Sequence, residues 1–266
     1  MAARELTSRL RGKVWHGSIP LEIRLAKEDC RTYDDSDAYL IQFPRLSYLA
    51  LLTTPLHTFF SRFLIYPCTP SSLWLSHESV PLKWHYPLGL LYDLYAAAEP
   101  FHPCSSASSS PSPPPRPLSP SAPHDDDAPP TTTTTRRTLP FRLTLHTTSY
   151  PTAHLIPLDD DPTRTMRDLF MHAVKEADYL RTGTGKTVMF LSQADSEQLW
   201  HAVVTHDFAR FHAVNQKLLH PQGLRLRHLP VRLYLPYKPR GGHPHDDEAT
   251  VRVVQSLVSA SLGSSE

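Results

Sequence analysis

Apolar and polar positions alternate from the first patterned stretch of the chain. In KVWHGSIPLEIRLA, residues 13 to 26, Val14, Trp15 and His16 precede a Gly17-Ser18 break, after which Leu21, Ile23 and Leu25 share one face. That pattern predicts a β-hairpin. Polar KEDCRTYDDSD leads to the apolar run YLIQF, and beyond Pro44 the period becomes helical through Leu46, Leu49 and Ala50, then Phe59, Phe60 and Phe63. A kink or break is expected at Pro55. SLWLSH predicts a short strand, and Leu88, Leu91, Tyr92 and Tyr95 one face of a short helix. Phe141, Leu143 and Leu145 predict a returning strand. A hairpin, a helix and further strands around a second short helix give an α+β layer fold, a small sheet over a helix.

The second half is first helical. In PTRTMRDLFMHAVKEADYLR, residues 162 to 181, apolar side chains fall at Met166, Leu169, Phe170, Ala173, Val174, Ala177 and Leu180, the recurrence of an amphipathic helix. Pro162 suits its first turn, Asp159 to Asp161 favour its dipole, and Gly183 lies just past its end. At about 100° per residue, Lys175 points roughly opposite Met166, so it sits mid-way across the polar face with Asp168 and Asp178 on its side. It is the only lysine of this helix. The loop TGTGK and VMFL follow, then SEQLWHAVVTHDFARFHAVNQKLLH predicts one or two helices. Asp195 with Gln198 reads as a capping box, Leu199, Val203, Phe208, Phe211 and Leu218 supply the apolar side, and His220 to Gly223 stops the run. LPVRLYLPY then alternates Val231, Leu233 and Leu235, and TVRVVQSLV offers a partner strand. Two strands without a covering helix close no core of their own, so this unit either ends partway or packs wholly on the rest.

One segment breaks the pattern. Residues 103 to 138 are dominated by proline, serine and threonine and almost lack large apolar side chains, so they predict a disordered insertion within the first domain. Its PxxP spacing, as at Pro114 to Pro117, could also serve a proline-binding domain.

Charge is balanced, with Lys+Arg 27 against Asp+Glu 26, which excludes nucleic acid as the obvious partner. Cys30, Cys68 and Cys104 are few and widely spaced, as in a reducing cytosolic protein. No signal peptide is expected at MAARELTSRLRGK, and the run Tyr48 to Tyr66, interrupted by Pro55, His57 and Arg62, is too polar to span a bilayer.

Three motifs with apparent chemistry weaken on inspection. TGTGKT, 182 to 187, resembles the end of a phosphate-binding loop, but that pattern wants glycine at 180, where Leu180 stands, and a preceding strand. It closes a helix instead and reads as a flexible connector. His243, His245, Asp246 and Asp247 lie in a Gly/Pro loop with no second set of metal ligands. Cys68 and Cys104 lie beside prolines without a histidine at a recognised spacing. No catalytic centre, metal site or cofactor site is expected. On residues alone, Lys175 reads as a solvated lysine between two acids.

PRLSYLALLTTPL (44 to 56), VPLKWHYPLGLLYDL (80 to 94), MHAVKEADYL (171 to 180), QLWHAVVTHDFARFHAVNQKLL (198 to 219) and RHLPVRLYLP (227 to 236) together resemble the autophagy protein 5 family in its fungal version. The resemblance implies a ubiquitin-like β-grasp domain with an N-terminal helix over residues 1–158, a helix-rich domain over 159–223 and the start of a second, truncated ubiquitin-like domain over 224–266. The family's acceptor lysine, in its KEAD motif, falls on Lys175. By resemblance its amine joins the C-terminal glycine of the ubiquitin-like autophagy protein 12. The conjugate then works with the conjugating enzymes of the pathway to promote attachment of autophagy protein 8 to phosphatidylethanolamine, as a non-catalytic, ligase-like component. A coiled-coil partner, autophagy protein 16, is expected to lay a helix in a groove between domains, with Arg45 and Tyr48 as candidate contacts. The expected location is the cytoplasm and, peripherally, the preautophagosomal membrane. A scaffold without conjugation competence is the alternative.

Overall fold

Every second side chain of β1 (Ser18–Leu25) is apolar, and Ile19, Leu21, Ile23 and Leu25 are all buried. This strand is central to a five-stranded sheet in the computed structural model, which describes residues 2–32, 37–96, 139–220, 226–237 and 250–259. β2 (Tyr39–Pro44) runs antiparallel to it, Ser18 opposite Pro44 and Ile23 opposite Tyr39. On its other side β5 (Phe141–His146) runs parallel, Leu21 opposite Phe141 and Leu25 opposite Leu145. β3 (Trp74–His77) pairs antiparallel with β5, and the two-residue β4 (Val80–Pro81) closes the order β2-β1-β5-β3-β4.

The expected sheet-over-helix arrangement is present. α2 (Thr53–Phe60) and α3 (Leu88–Tyr95) supply Leu56, Phe60, Leu88, Leu91 and Tyr92 to one core with the inward residues of β1 and β5. The Tyr92 ring meets Phe141 edge-on at 5.4 Å. Pro55 neither kinks nor breaks α2. It occupies the third position, where the backbone N–H would have no intrahelical partner anyway, and a 3-10 turn (Leu49–Leu52) makes the change of direction just upstream.

The hairpin expected from Val14 onward needs correction. Val14 and Trp15 end a helix, α1 (Ala2–Trp15), and the hairpin is made instead by β1 and β2. A tertiary contact decides between the two states: Trp15 is buried against Phe211 (4.6 Å) and stacks on His206 (5.0 Å), and its Nε1 donates to the His206 carbonyl at 3.1 Å.

The helical part comprises α4 (Pro162–Thr182), the short α5 (Lys186–Met189), α6 (Gln193–Val204) and α7 (Phe208–Leu219). Leu199, Val214, Leu218 and Val188 form a small core of their own, while Met166 and Trp200 join the core of the first sheet. The capping box expected at Asp195 lies three residues upstream: Ser192 caps α6 by accepting from the Asp195 N–H at 3.0 Å. Asp195 itself pairs with Lys217 of α7 at 2.8 Å.

β6 (His228–Tyr237) and β7 (Thr250–Ser259) form a separate antiparallel ribbon, Leu229 opposite Val258 and Leu233 opposite Val254. Partners across a ladder share a face, so Leu229, Val231, Leu233, Val254 and Val258 lie together. Leu229, Leu233 and Leu235 are each nearly half exposed, and among the described residues no element covers this face. The opposite face, with Arg232 and Tyr234, turns toward α4 and the first domain. Residues 103–138, Cys104 and the His243–Asp247 cluster, each singled out from sequence, lie outside the described residues.

Candidate functional site

α4 is fixed at both ends by its own sequence. Asp161 caps it by accepting from the Thr163 N–H at 2.9 Å, and Pro162 takes the first position, where no donor is needed. At the other end Gly183 adopts φ 80°, which glycine holds without the clash a Cβ would bring, and its N–H donates to the Tyr179 carbonyl at 2.7 Å. Met166 is buried, and Phe170 lies 5.5 Å from the Trp200 ring. One side of the helix is therefore held firmly.

Lys175 lies on the opposite side and is exposed, as are Arg164, Asp168 and His172 around it. Among the described residues no hydrogen bond or ion pair engages its amine. Of the two acids expected beside it, Asp168 stays on the surface and Asp178 does not. Asp178 is 4 % exposed, and its Oδ2 accepts from the Val188 N–H at 3.0 Å. The TGTGKT stretch is thus not a free connector. Gly183 and Gly185, both with positive φ, fold it back so that α5 docks on α4, where Asp178 binds it. Nor does it build a phosphate cradle, since a helix precedes it and only four helical residues follow.

Lys175 stands between two attachments. On one flank Glu176 pairs with Arg232 of β6 at 2.8 Å, and Arg232 also donates to Gln255 of β7 at 2.9 Å. The Arg227 N–H donates to the Arg181 carbonyl at 2.7 Å, and the Arg181 guanidinium caps the end of α7 by donating to the Leu218 and Leu219 carbonyls. On the other flank sits α5, with Met189 and Phe190 exposed beyond it. The amine is open to solvent on a helix held from its other side. Sequence reasoning missed the anchors: nothing local marks Arg232 as the partner of Glu176, and the cap of α6 was read at Asp195 rather than at Ser192.

Arg45 and Tyr48 lie in one turn but do different things. The Arg45 side chain crosses Gly89, bonds the Asp93 carboxylate at 2.5 Å and lies over the Tyr92 ring, tying the turn to α3. Tyr48 faces the seam with the ribbon. Burial, with a smaller contribution from Tyr234, pushes its hydroxyl up to about 12. Tyr86 meets the Tyr234 ring at 5.3 Å across the same seam. Of the PLKWHYP motif, Trp84 is a core residue whose Nε1 donates to the Tyr150 hydroxyl and the Ile156 carbonyl. Next to it, burial drives His85 down to about 4, with Lys83 adding to the effect, and its Nδ1 has no partner.

Cys30 and Cys68 are free thiols, and burial raises the Cys68 thiol, the opposite of what a nucleophile needs. Among the described residues no three His, Cys, Asp or Glu side chains are grouped to hold a metal, and no helix is long and apolar enough to cross a membrane.

Two family models match the chain: "Autophagy protein ATG5, UblA domain" over residues 14–147 and "Autophagy protein ATG5, alpha-helical bundle region" over residues 163–221. The autophagy protein 5 of Phaeosphaeria nodorum is 64 % identical over 99 % of this chain and 79 % of its own length. That of Neosartorya fischeri is 41 % identical over 96 % of this chain and 71 % of its own. The crystal structure of Kluyveromyces marxianus Atg5 superposes with a TM-score of 0.69 at 21 % identity, covering 96 % of this chain and 80 % of that one, a likeness of fold.

Proposed function

We propose, for a chain that belongs to the autophagy protein 5 family, that the Lys175 amine is the acceptor for a ubiquitin-like modifier, autophagy protein 12. Membership makes this an autophagy protein with a ubiquitin-like domain and a helical-bundle region. The observation that carries the finer reading is the state of Lys175: exposed, unpaired among the described residues, and mounted on a helix anchored from its far side.

Conjugation asks little of the acceptor. The ε-amine attacks the thioester carbonyl between the modifier's C-terminal glycine and the conjugating enzyme's cysteine. A C–N bond forms, the C–S bond breaks, the thiolate leaves, and the amine gives up its proton. With Asp178 turned inward, Asp168 is the acid that stays exposed on the same face, and the conjugating enzyme supplies the base. The conjugate then acts as a non-catalytic, ligase-like platform for attaching autophagy protein 8 to phosphatidylethanolamine. It works in the cytoplasm and peripherally on the preautophagosomal membrane, and no cofactor enters.

We infer that the coiled-coil partner, autophagy protein 16, lays its helix along the seam beside Tyr48, with Arg45 at its rim; the meeting of Tyr86 and Tyr234 across that seam supports the reading. The test is reconstitution of the whole chain with the modifier, its activating and conjugating enzymes and ATP. A shifted band from the wild type that disappears in Lys175→Arg supports the reading. A wild type that gives no band yet binds the coiled-coil partner is instead a scaffold without conjugation.

A further inference from the structure

α1 has a face that, among the described residues, no other element covers. It packs through Trp15, while Leu6, Leu10 and Val14 are 58 %, 53 % and 64 % exposed. At about 100° per residue these three fall within an arc of about 80° centred on Leu10, and Trp15 lies about 140° away. The stripe therefore points outward when Trp15 is seated against His206 and Phe211. An internal packing role is already taken by the other side.

Charge around the stripe identifies what it meets. Lys13 and Arg9 lie about 60° and 100° to one side of Leu10, and Arg11 about 100° to the other. All three are exposed, and Glu5, the one acid of the helix, falls about 140° away from the stripe. An aliphatic ridge with cations on both shoulders and its acid behind matches an anionic lipid surface. The alkyl side chains enter the headgroup boundary while the cations reach phosphates at its level. A coiled-coil seam fits worse: the ridge steps by four residues, and a 3.5-residue repeat would bring Lys13 or Thr7 into it.

We propose that α1 is a membrane-contact helix that lies along anionic bilayers through Leu6, Leu10 and Val14, with Arg9, Arg11 and Lys13 on the headgroups. The site deepens the peripheral membrane contact of the preceding section and rests on that reading for its cellular place, but the binding itself requires no conjugation. Fourteen residues span about 21 Å of surface, and Trp15 fixes the helix to the bundle so that the whole chain follows it.

Flotation of the whole chain with vesicles tests this, comparing phosphatidylcholine alone with phosphatidylcholine containing about 30 % phosphatidylserine. The wild type partitions onto the anionic vesicles and is released by salt. Leu6→Glu with Leu10→Glu weakens partition about tenfold or more, and Arg9→Gln, Arg11→Gln and Lys13→Gln together remove the preference for phosphatidylserine. Circular dichroism checks that these surface variants keep the unfolding midpoint. Failure of the wild type to bind, or variants that bind equally well, overturns the proposal. So does a Leu6→Glu/Leu10→Glu pair that only converts a dimer to a monomer in ultracentrifugation, which would assign the ridge to a second copy. Lys175→Arg binds vesicles as the wild type does, so loss of conjugation with intact flotation counts against the acceptor reading alone.

Discussion

The Asp178 carboxylate, three residues beyond Lys175, holds the Val188 N–H at 3.0 Å and so pins α5 to the helix that presents the amine. Its other oxygen is buried without a partner, so this contact stands in for the water the carboxylate gave up. Asp178→Ala leaves the Val188 donor unsatisfied and should cost about 1–3 kcal/mol in urea unfolding, with protection of the α5 amides lost first in hydrogen exchange. An unchanged midpoint would show that α5 docks by its apolar side alone.

Gly183 ends α4 in the left-handed region, at φ 80°. A Cβ there would also sit 2.8 Å from the Arg227 guanidinium, which must move. Gly183→Ala is expected to destabilise by about 1–2 kcal/mol and Gly183→Asn by less, because asparagine tolerates this conformation better. Equal midpoints for the two would argue that the strain is relieved elsewhere.

Trp15→Ala removes the stack on His206 and the Nε1 bond to its carbonyl. The loss should be about 3–5 kcal/mol if α1 unfolds with the whole, and smaller if α1 merely detaches. Hydrogen exchange separates the two, since detachment exposes the amides of α1 while β1 and β5 stay protected.

Acid should weaken the fold through His85. Burial, then Lys83, lowers its folded value to about 4 from an ordinary 6.5. Above pH 6.5 both states hold it neutral and nothing is lost. Between 6.5 and 4 the unfolded chain takes a proton that the folded chain refuses, so stability falls with falling pH, by about 1–2 kcal/mol after allowing for partial solvent screening. His146 and His206, also lowered by burial, act in the same sense. The gap between urea midpoints measured at pH 7 and pH 5 should narrow in His85→Gln, with the remainder carried by His146 and His206.

Much of this was legible along the chain because the signal was local. The wheel of α4 put Lys175 opposite Met166, and Asp161, Pro162 and Gly183 marked the ends of that helix correctly. The alternation of Ile23 and Leu25, and of Phe141, Leu143 and Leu145, named strands whose inward faces are buried. What stayed hidden was set by distant partners. Asp178 sits on the same turn as other surface residues until α5 folds over it, ten residues later. Trp15 suits a strand by preference and becomes the end of a helix because α7 receives its ring. The parallel pairing of β1 with β5 joins segments more than a hundred residues apart, which no local period encodes.

The β6–β7 ribbon leaves Leu229, Leu233, Leu235 and Val258 facing water. The purified chain should therefore behave colloidally as a sticky particle: scattering per molecule rises with concentration, and mild detergent or a solubilising fusion suppresses it. Arginine or glutamate at Leu233, on the open side of the ladder, would make stock solutions keep longer without disturbing the Glu176–Arg232 tether behind it.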